Sequence, residues 1–380
     1  MFKTTHSFFA QPKFLVGNRA MEHLHIELES YNASRPMVIA CKGDEGNVKR
    51  FILALAESNI TIGALVDDAL PYVNTHEIER LAGLFNWRGC DSIIALGGES
   101  VMDIAKTLNL KVNGIGIKET LKIDSPLSPL VYIATAKVNG YEVTNSVNID
   151  GKILKSDFLY PDIVCIDNRM VCAKYNLQSV LYVALYSLTH CIEGAEMANN
   201  NPFVDASAFS AIRLIMDNLT IVAKNPNDKK ASAGLINGIA IAGTIQSNTQ
   251  GHICCLSAEF LAKEAGLAQG MLAGMMLAPS LQHKVDQNHQ LRADLLLALV
   301  GIDQFCSTPK EVKISKAIEE IKNFTNFFGD TIPKSLSDLK IQEYQLRNIA
   351  QKVEEKSKGQ ISKEYCYNFL QKIWRASHEL

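Results

Sequence analysis

Tyr186 and His190 stand one helical turn apart in L-Y-S-L-T-H, so a helix there puts a phenol and an imidazole on one face, the residue types of an acid/base pair. A second constellation is Gly97-Gly98-Glu99-Ser100, which follows the apolar run S-I-I-A-L at 92–96 and opens the amphipathic stretch V-M-D-I-A-K-T-L. Strand, glycine turn and helix in that order aim backbone N–H groups and a helix N-terminus at an anion, a phosphate above all. Cys255 and Glu259 follow His252 at helical spacing, but the chain has no H-E-x-x-H, no C-x-x-C and no histidine pair at i,i+3 or i,i+4. His252, on a mostly apolar stretch, reads as a hydrogen-bonded core residue.

These groups need elements to hold them. Between Pro36 and Asp167 short β-branched runs (37–41, 60–66, 92–96, 130–134, 163–167) alternate with amphipathic stretches, the pattern of a parallel, doubly wound sheet. After Asn176 the strand-like runs give way to helical patterns over 177–198, 203–223, 230–247 and 252–284. The expected organisation is therefore an α/β, Rossmann-like parallel-sheet domain over 1–176 followed by an all-α domain over 177–380. The charged segment K-E-V-K-I-S-K-A-I-E-E-I-K at 310–322 is read as a solvated helix face.

Composition narrows the class. A chain of 380 residues exceeds what one core organises, and 47% hydrophobic with 21% charged residues is ordinary for a globular protein. The net charge of −2 gives no electrostatic case for nucleic acid. Nine cysteines without paired spacing fit a reducing compartment, and Gln11, Pro12 and Lys13 interrupt the N-terminal apolar residues before a signal-peptide core forms. No apolar run reaches about 18 residues, so neither a membrane span nor a membrane partner is expected, and the chain is read as cytoplasmic.

The segment Gly97-Gly98-Glu99-Ser100-Val-Met-Asp103-Ile-Ala-Lys106 resembles the G-G-G-S-x-x-D-x-A-K signature of iron-containing alcohol dehydrogenases, which share a dehydroquinate synthase-like fold. Three further segments resemble that family in order along the chain: A-Q-P-K-F-L-V-G-N-R-A near the start, I-A-T-A-K-V-N-G-Y-E-V-T at 133–144, and L-T-H-C-I-E at 188–193. The resemblance implies an oxidoreductase that interconverts a small or sugar-like alcohol and its carbonyl with NAD or NADP, as a homodimer. It implies that Gly97, Gly98 and Ser100 hold the pyrophosphate, that Asp103 is a further cofactor-binding residue, and that Thr135 and Thr144 line the adenine and nicotinamide side.

Several positions depart from the family pattern. Glu99 replaces a glycine beside the expected phosphates, where like charges repel, and Lys137 is the expected neutralising partner. At the ribose position either Lys42, favouring NADP, or Asp44 in a register shifted by two, favouring NAD, is the equivalent residue. The family's divalent iron or zinc is held by an Asp and three His. Here His190 is retained, while Tyr186, Cys255 and Gln269 stand at the other ligand positions and Glu259 at a substrate-side His. A zinc site rebuilt from His190, Cys255 and Glu259 is one alternative. Metal-free hydride transfer with Tyr186 as proton donor or acceptor and His190 tuning it is another. A catalytically silent nucleotide-binding or regulatory protein is a third, and an eliminase or cyclase of the dehydroquinate synthase type a fourth.

Overall fold

The computed structural model describes residues 6–10, 12–56, 58, 60–116, 121–135, 139–171, 176–198 and 200–375. The chain clusters into two compact units, one of Phe9–Tyr175 and one of Asn176–Leu380 with Met1–Phe8.

The first unit contains β1 (Lys13–Gly17), α1 (Leu24–Ser30), β2 (Pro36–Cys41), α2 (Glu45–Leu55), β3 (Ala64–Ala69), α3 (Thr75–Arg88), β4 (Ser92–Gly97), α4 (Glu99–Val112) and β5 (Leu130–Ala134). The hairpin β6 (Ser146–Ile149) and β7 (Lys152–Lys155) comes next, then β8 (Ile163–Asp167) and the single turn α5 (Asn168–Val171). Six strands form one sheet in the order β1-β8-β5-β4-β2-β3, every pair parallel. The doubly wound parallel sheet read from the alternation is present. β4, β5 and β8 are buried along their whole length and β2 along all but its last residue, which is why they read as continuous apolar runs.

Two strand expectations need correction. The run at 60–66 does not form a strand from its first residue. β3 begins at Ala64 and continues through the exposed Asp67 and Asp68, which an edge strand tolerates because one flank faces solvent. The β6–β7 hairpin was not expected. Its turn is Asp150-Gly151, both at positive φ (50° and 80°), the conformation a tight two-residue hairpin requires.

The helical unit contains α6 (Leu177–Met197), α7 (Pro202–Lys224), α8 (Lys229–Asn248), α9 (Ile253–Ala265), α10 (Gln269–Asp286), α11 (Leu295–Val300), α12 (Ile302–Ser307), α13 (Lys313–Asn326), α14 (Glu343–Lys356) and α15 (Lys363–Arg375). The long helix expected over 252–284 is in fact two. α9 ends at Gly266, whose φ of 66° is a left-handed cap, and α10 starts three residues later. α13 buries Ala317, Ile321 and Phe324 and turns Lys316, Glu319 and Glu320 outward as ion pairs, the solvated face its charge pattern implies. Among the described residues only α7 is long and apolar enough to cross a membrane by length and composition. It buries a stripe from Val204 to Val222 and carries Asp205, Arg213 and Asp217, as a helix of a bundle does.

Candidate functional site

In the α/β unit the chemistry converges on the carboxyl ends of β2 and β4. β2 leads to β3 on one side, whereas β4 lies on the other side of β2 and leads to β5, so the winding direction reverses between β2 and β4. Open α/β sheets bind ligands outside the strand ends at such a switch point. Gly97 ends β4 at φ 148°, and a Cβ added there would lie 2.9 Å from Val101 Cγ2 and 3.5 Å from Asp44 Oδ2. The Gly97 carbonyl accepts from the hydroxyls of Tyr132 and Thr135, which fixes the turn. Gly98 is the extended N-cap of α4 and, having no side chain, supplies no capping oxygen to the first N–H groups of the 14-residue helix.

Gly97, Gly98 and Ser100 thus meet at one turn. The other expected cofactor residues do not all face it with free polar atoms. Asp103 is buried and accepts from the Tyr141 hydroxyl at 2.8 Å and the Asn148 N–H at 2.9 Å. Thr135 spends its hydroxyl on Gly97, and Thr144 donates its own to the Tyr141 carbonyl at 2.7 Å. Lys42 is exposed, whereas Asp44 is buried at the head of α2 beside Gly97. Glu99 is exposed and accepts from the Asn139 side-chain amide at 2.9 Å. The expected Lys137 partner lies outside the described residues.

Beneath the turn sits a buried ionic cluster. Lys106 is fully buried and donates to the carbonyls of Thr144 and Ser146, both at 2.7 Å. Glu142, 2% exposed, accepts from the Gly140 N–H at 3.1 Å. Burial pushes Glu142 up to about 7 and Asp103 up to about 6, and burial draws Lys106 down to about 7 against the pull of Asp103 and Glu142.

In the helical unit Tyr186 and His190 share a face of α6, with ring centroids 6.0 Å apart. Burial raises the Tyr186 phenol well above its ordinary value, and Cys255, Glu259 and Glu193 push it further. Gln269 acts in the opposite sense. Gln269 opens α10, whose approach to α6 depends on Gly270, because a Cβ there would fall 1.8 Å from the Tyr182 carbonyl oxygen. The carboxylate of Glu193, the last residue of L-T-H-C-I-E and not among the expected site residues, accepts from the N–H groups of His252, Cys254 and Cys255 at 3.0, 2.7 and 3.0 Å. It caps α9 from α6, in place of a local N-cap side chain.

This donor set does not fit a divalent cation. Tyr186 and Gln269, at two of the family's four ligand positions, carry side chains that are poor donors to iron or zinc. Glu259 is held between Lys263 at 2.7 Å and Lys356 at 2.5 Å, and the two ammonium groups outweigh burial to lower its carboxyl. Among the described residues no group of three or more His, Cys, Asp or Glu is placed to hold a metal. The zinc site assembled from His190, Cys255 and Glu259 is therefore not formed.

His252 is the N-cap of α9, and burial draws its imidazole down to about 4. Lys284 and His289 act in the same direction, and Glu193 opposes them. A histidine whose folded value lies below its unfolded one stabilises fully above about 6.5 and loses that contribution as pH falls toward the folded value. Between pH 7.5 and 4 wild type is expected to lose about 3 kcal/mol more stability than His252→Asn. Urea unfolding at the two pH values measures this, and equal losses would refute it.

Comparison with known proteins agrees with this architecture. The family model described as "Iron-containing alcohol dehydrogenase" matches residues 11–168, and "Fe-containing alcohol dehydrogenase family, C-terminal" matches residues 181–365. The probable alcohol dehydrogenase EutG of Escherichia coli (strain K12) is 29% identical over 202 residues, 50% of this chain and 51% of that protein. The chain spans about half to two thirds of the length of the first curated relatives it matches. Among solved structures, 1,3-propanediol oxidoreductase superposes with a TM-score of 0.81 at 19% identity, covering 97% of this chain and 100% of that one. Sulfoacetaldehyde reductase from Bifidobacterium kashiwanohense, in complex with NAD+, gives 0.78 at 17% identity, covering 97% and 99%. With both family models in register over most of its length, the chain belongs to the iron-containing alcohol dehydrogenase family.

Proposed function

We propose that the chain is an NAD(P)-linked oxidoreductase that interconverts a small or sugar-like alcohol and its carbonyl in the cytoplasm, by chemistry that does not rest on a divalent metal. The observation that carries this reading is the β4–α4 turn. An uncapped helix N-terminus and a glycine too crowded for any side chain stand at the switch point of a parallel sheet. The residues there fit a dinucleotide, since Gly97 and Gly98 leave room for a pyrophosphate and the N–H groups opening α4 supply its donors. The eight described cysteines form no disulfide with one another, consistent with a reducing compartment.

When bound, a nicotinamide cofactor supplies or accepts the hydride. In this reading Asp44, buried beside Gly97, rather than exposed Lys42, accepts from a ribose 2′-hydroxyl and repels a 2′-phosphate. Tyr186, a neutral phenol on the face of α6 that carries His190, is the proton donor to an oxygen gaining negative charge. His190, on the same face of α6, adjusts the surroundings of that phenol.

Calorimetric titration with NADH and NADPH tests the reading. NADH is expected to bind at least about tenfold more tightly, a difference of about 1.4 kcal/mol. Absence of binding by either dinucleotide at millimolar concentration would overturn it. Tight binding with no turnover on any alcohol or carbonyl would favour a nucleotide-binding family member without catalysis, a reading that the misfit at the metal positions supports.

A further inference from the structure

Among the described residues Tyr132 is the largest fully buried side chain, and its hydroxyl donates to a main-chain carbonyl, that of Gly97. In the register of β4 and β5, Gly97 pairs with Ala134, two residues beyond Tyr132. Two residues of strand span roughly 6.6 Å, which a phenol leaning along β5 covers to reach the end of β4. The Thr135 hydroxyl, just past β5, donates to the same oxygen at 3.3 Å. A carbonyl oxygen has two lone pairs, and these two hydroxyls occupy both.

The orientation of that carbonyl decides where the next N–H points. In a planar trans peptide the C=O and the N–H lie on opposite sides. β4 lies between β5 and β2, so drawing the Gly97 oxygen toward β5 turns the Gly98 N–H toward β2 and the switch point. No Cβ stiffens this peptide from either side. Gly97 cannot acquire one, because it would lie 2.9 Å from Val101 Cγ2. Gly98 has φ −109°, and glycine populates positive φ about as readily as negative, so nothing within the Gly-Gly pair opposes a flip of the peptide. A flipped peptide would aim an oxygen instead of a hydrogen at an anion.

We propose that Tyr132, assisted by Thr135, is a positioning residue for the cofactor pyrophosphate: its hydroxyl latches the Gly97–Gly98 peptide with the N–H toward the switch point. This rests on the dinucleotide reading above. Tyr132 acts through the main chain and not on the cofactor itself. The two glycines that make room for phosphate also leave their peptide free to turn, so the restraint has to come from the neighbouring strand.

Tyr132→Phe keeps the ring in the core and removes only the hydroxyl. NADH and ADP, which both carry a pyrophosphate, are expected to bind about tenfold more weakly than to wild type in calorimetric titration, while adenosine, which carries none, competes with NADH within about twofold of wild type. KM for NADH should rise with kcat at saturating NADH within about twofold. A general loosening of the core would instead weaken ADP and adenosine alike. Thr135→Val, which removes the longer of the two hydrogen bonds, is expected to weaken ADP binding about threefold, and the double variant more than either single one. The threonine variant decides the outcome if Tyr132→Phe does not fold.

Wild-type affinity for ADP in all three variants would overturn the latch and leave the oxidoreductase reading standing, as would equal weakening of ADP and adenosine. If wild type itself binds neither NADH nor NADPH, the reading and the latch fall together.

Discussion

Tyr186→Phe is expected to lower turnover by roughly 10²–10⁴-fold while leaving NADH affinity and melting temperature close to wild type. The substitution removes one hydroxyl and keeps the ring that packs 6.0 Å from His190, so the helical unit retains its shape. What disappears is the buried phenol kept protonated by its surroundings. Initial rates followed by nicotinamide absorbance, paired with calorimetric cofactor titration, separate the two quantities. Turnover within a factor of about two of wild type would remove Tyr186 from the chemistry. A matching fall in cofactor affinity would mean the loss is structural.

Lys106→Met should destabilise the α/β unit by about 3–5 kcal/mol, the range for removing one partner from a buried ionic group. Methionine replaces the apolar stem, but the Thr144 and Ser146 carbonyls lose their donor, and Asp103 and Glu142 lose the favourable charge of the ammonium. Lys106 also lies 4.9 Å from the Tyr141 ring centroid, so the segment holding Gly140, Tyr141 and Glu142 loses one of its contacts with α4, the Tyr141–Asp103 hydrogen bond remaining. Guanidinium unfolding of wild type and variant measures the loss, and weaker NADH binding should accompany it because Asn139 links that segment to Glu99 at the head of α4. A change below about 1 kcal/mol would show that the cluster relaxes without the lysine.

The fold was legible where burial dictates composition. β2, β4, β5 and β8 lie inside a sheet covered on both faces, so their residues had to be apolar and β-branched. β3 was misplaced because an edge strand has one flank in water and accepts Asp67 and Asp68, which broke the pattern. The division between α9 and α10 turns on Gly266, and a single glycine in a helical pattern does not by itself announce a left-handed cap.

The site was legible as positions rather than as contacts. The Gly97-Gly98 turn and the Tyr186–His190 spacing are local, so the sequence exhibits them directly. Glu193 capping α9 spans 59 to 62 residues of chain, and no spacing rule reaches that far. The choice between Lys42 and Asp44 depended on where β2 ends and α2 begins, a boundary that pattern reading fixes only to within a few residues. Asn139 as the partner of Glu99 likewise needed the fold, because 40 residues separate them.

The close approach of Gly270 to Tyr182 makes this part of the helical unit tolerant of change. The frame around positions 186, 190, 255 and 269 is set where one helix backbone rests on another, and by a carboxylate that grips only main-chain N–H groups. Neither device depends on which side chains project into the space between. Such a scaffold can exchange its chemical contents without renegotiating its architecture, so the identity of the donors is free to drift while the glycine at 270 is not.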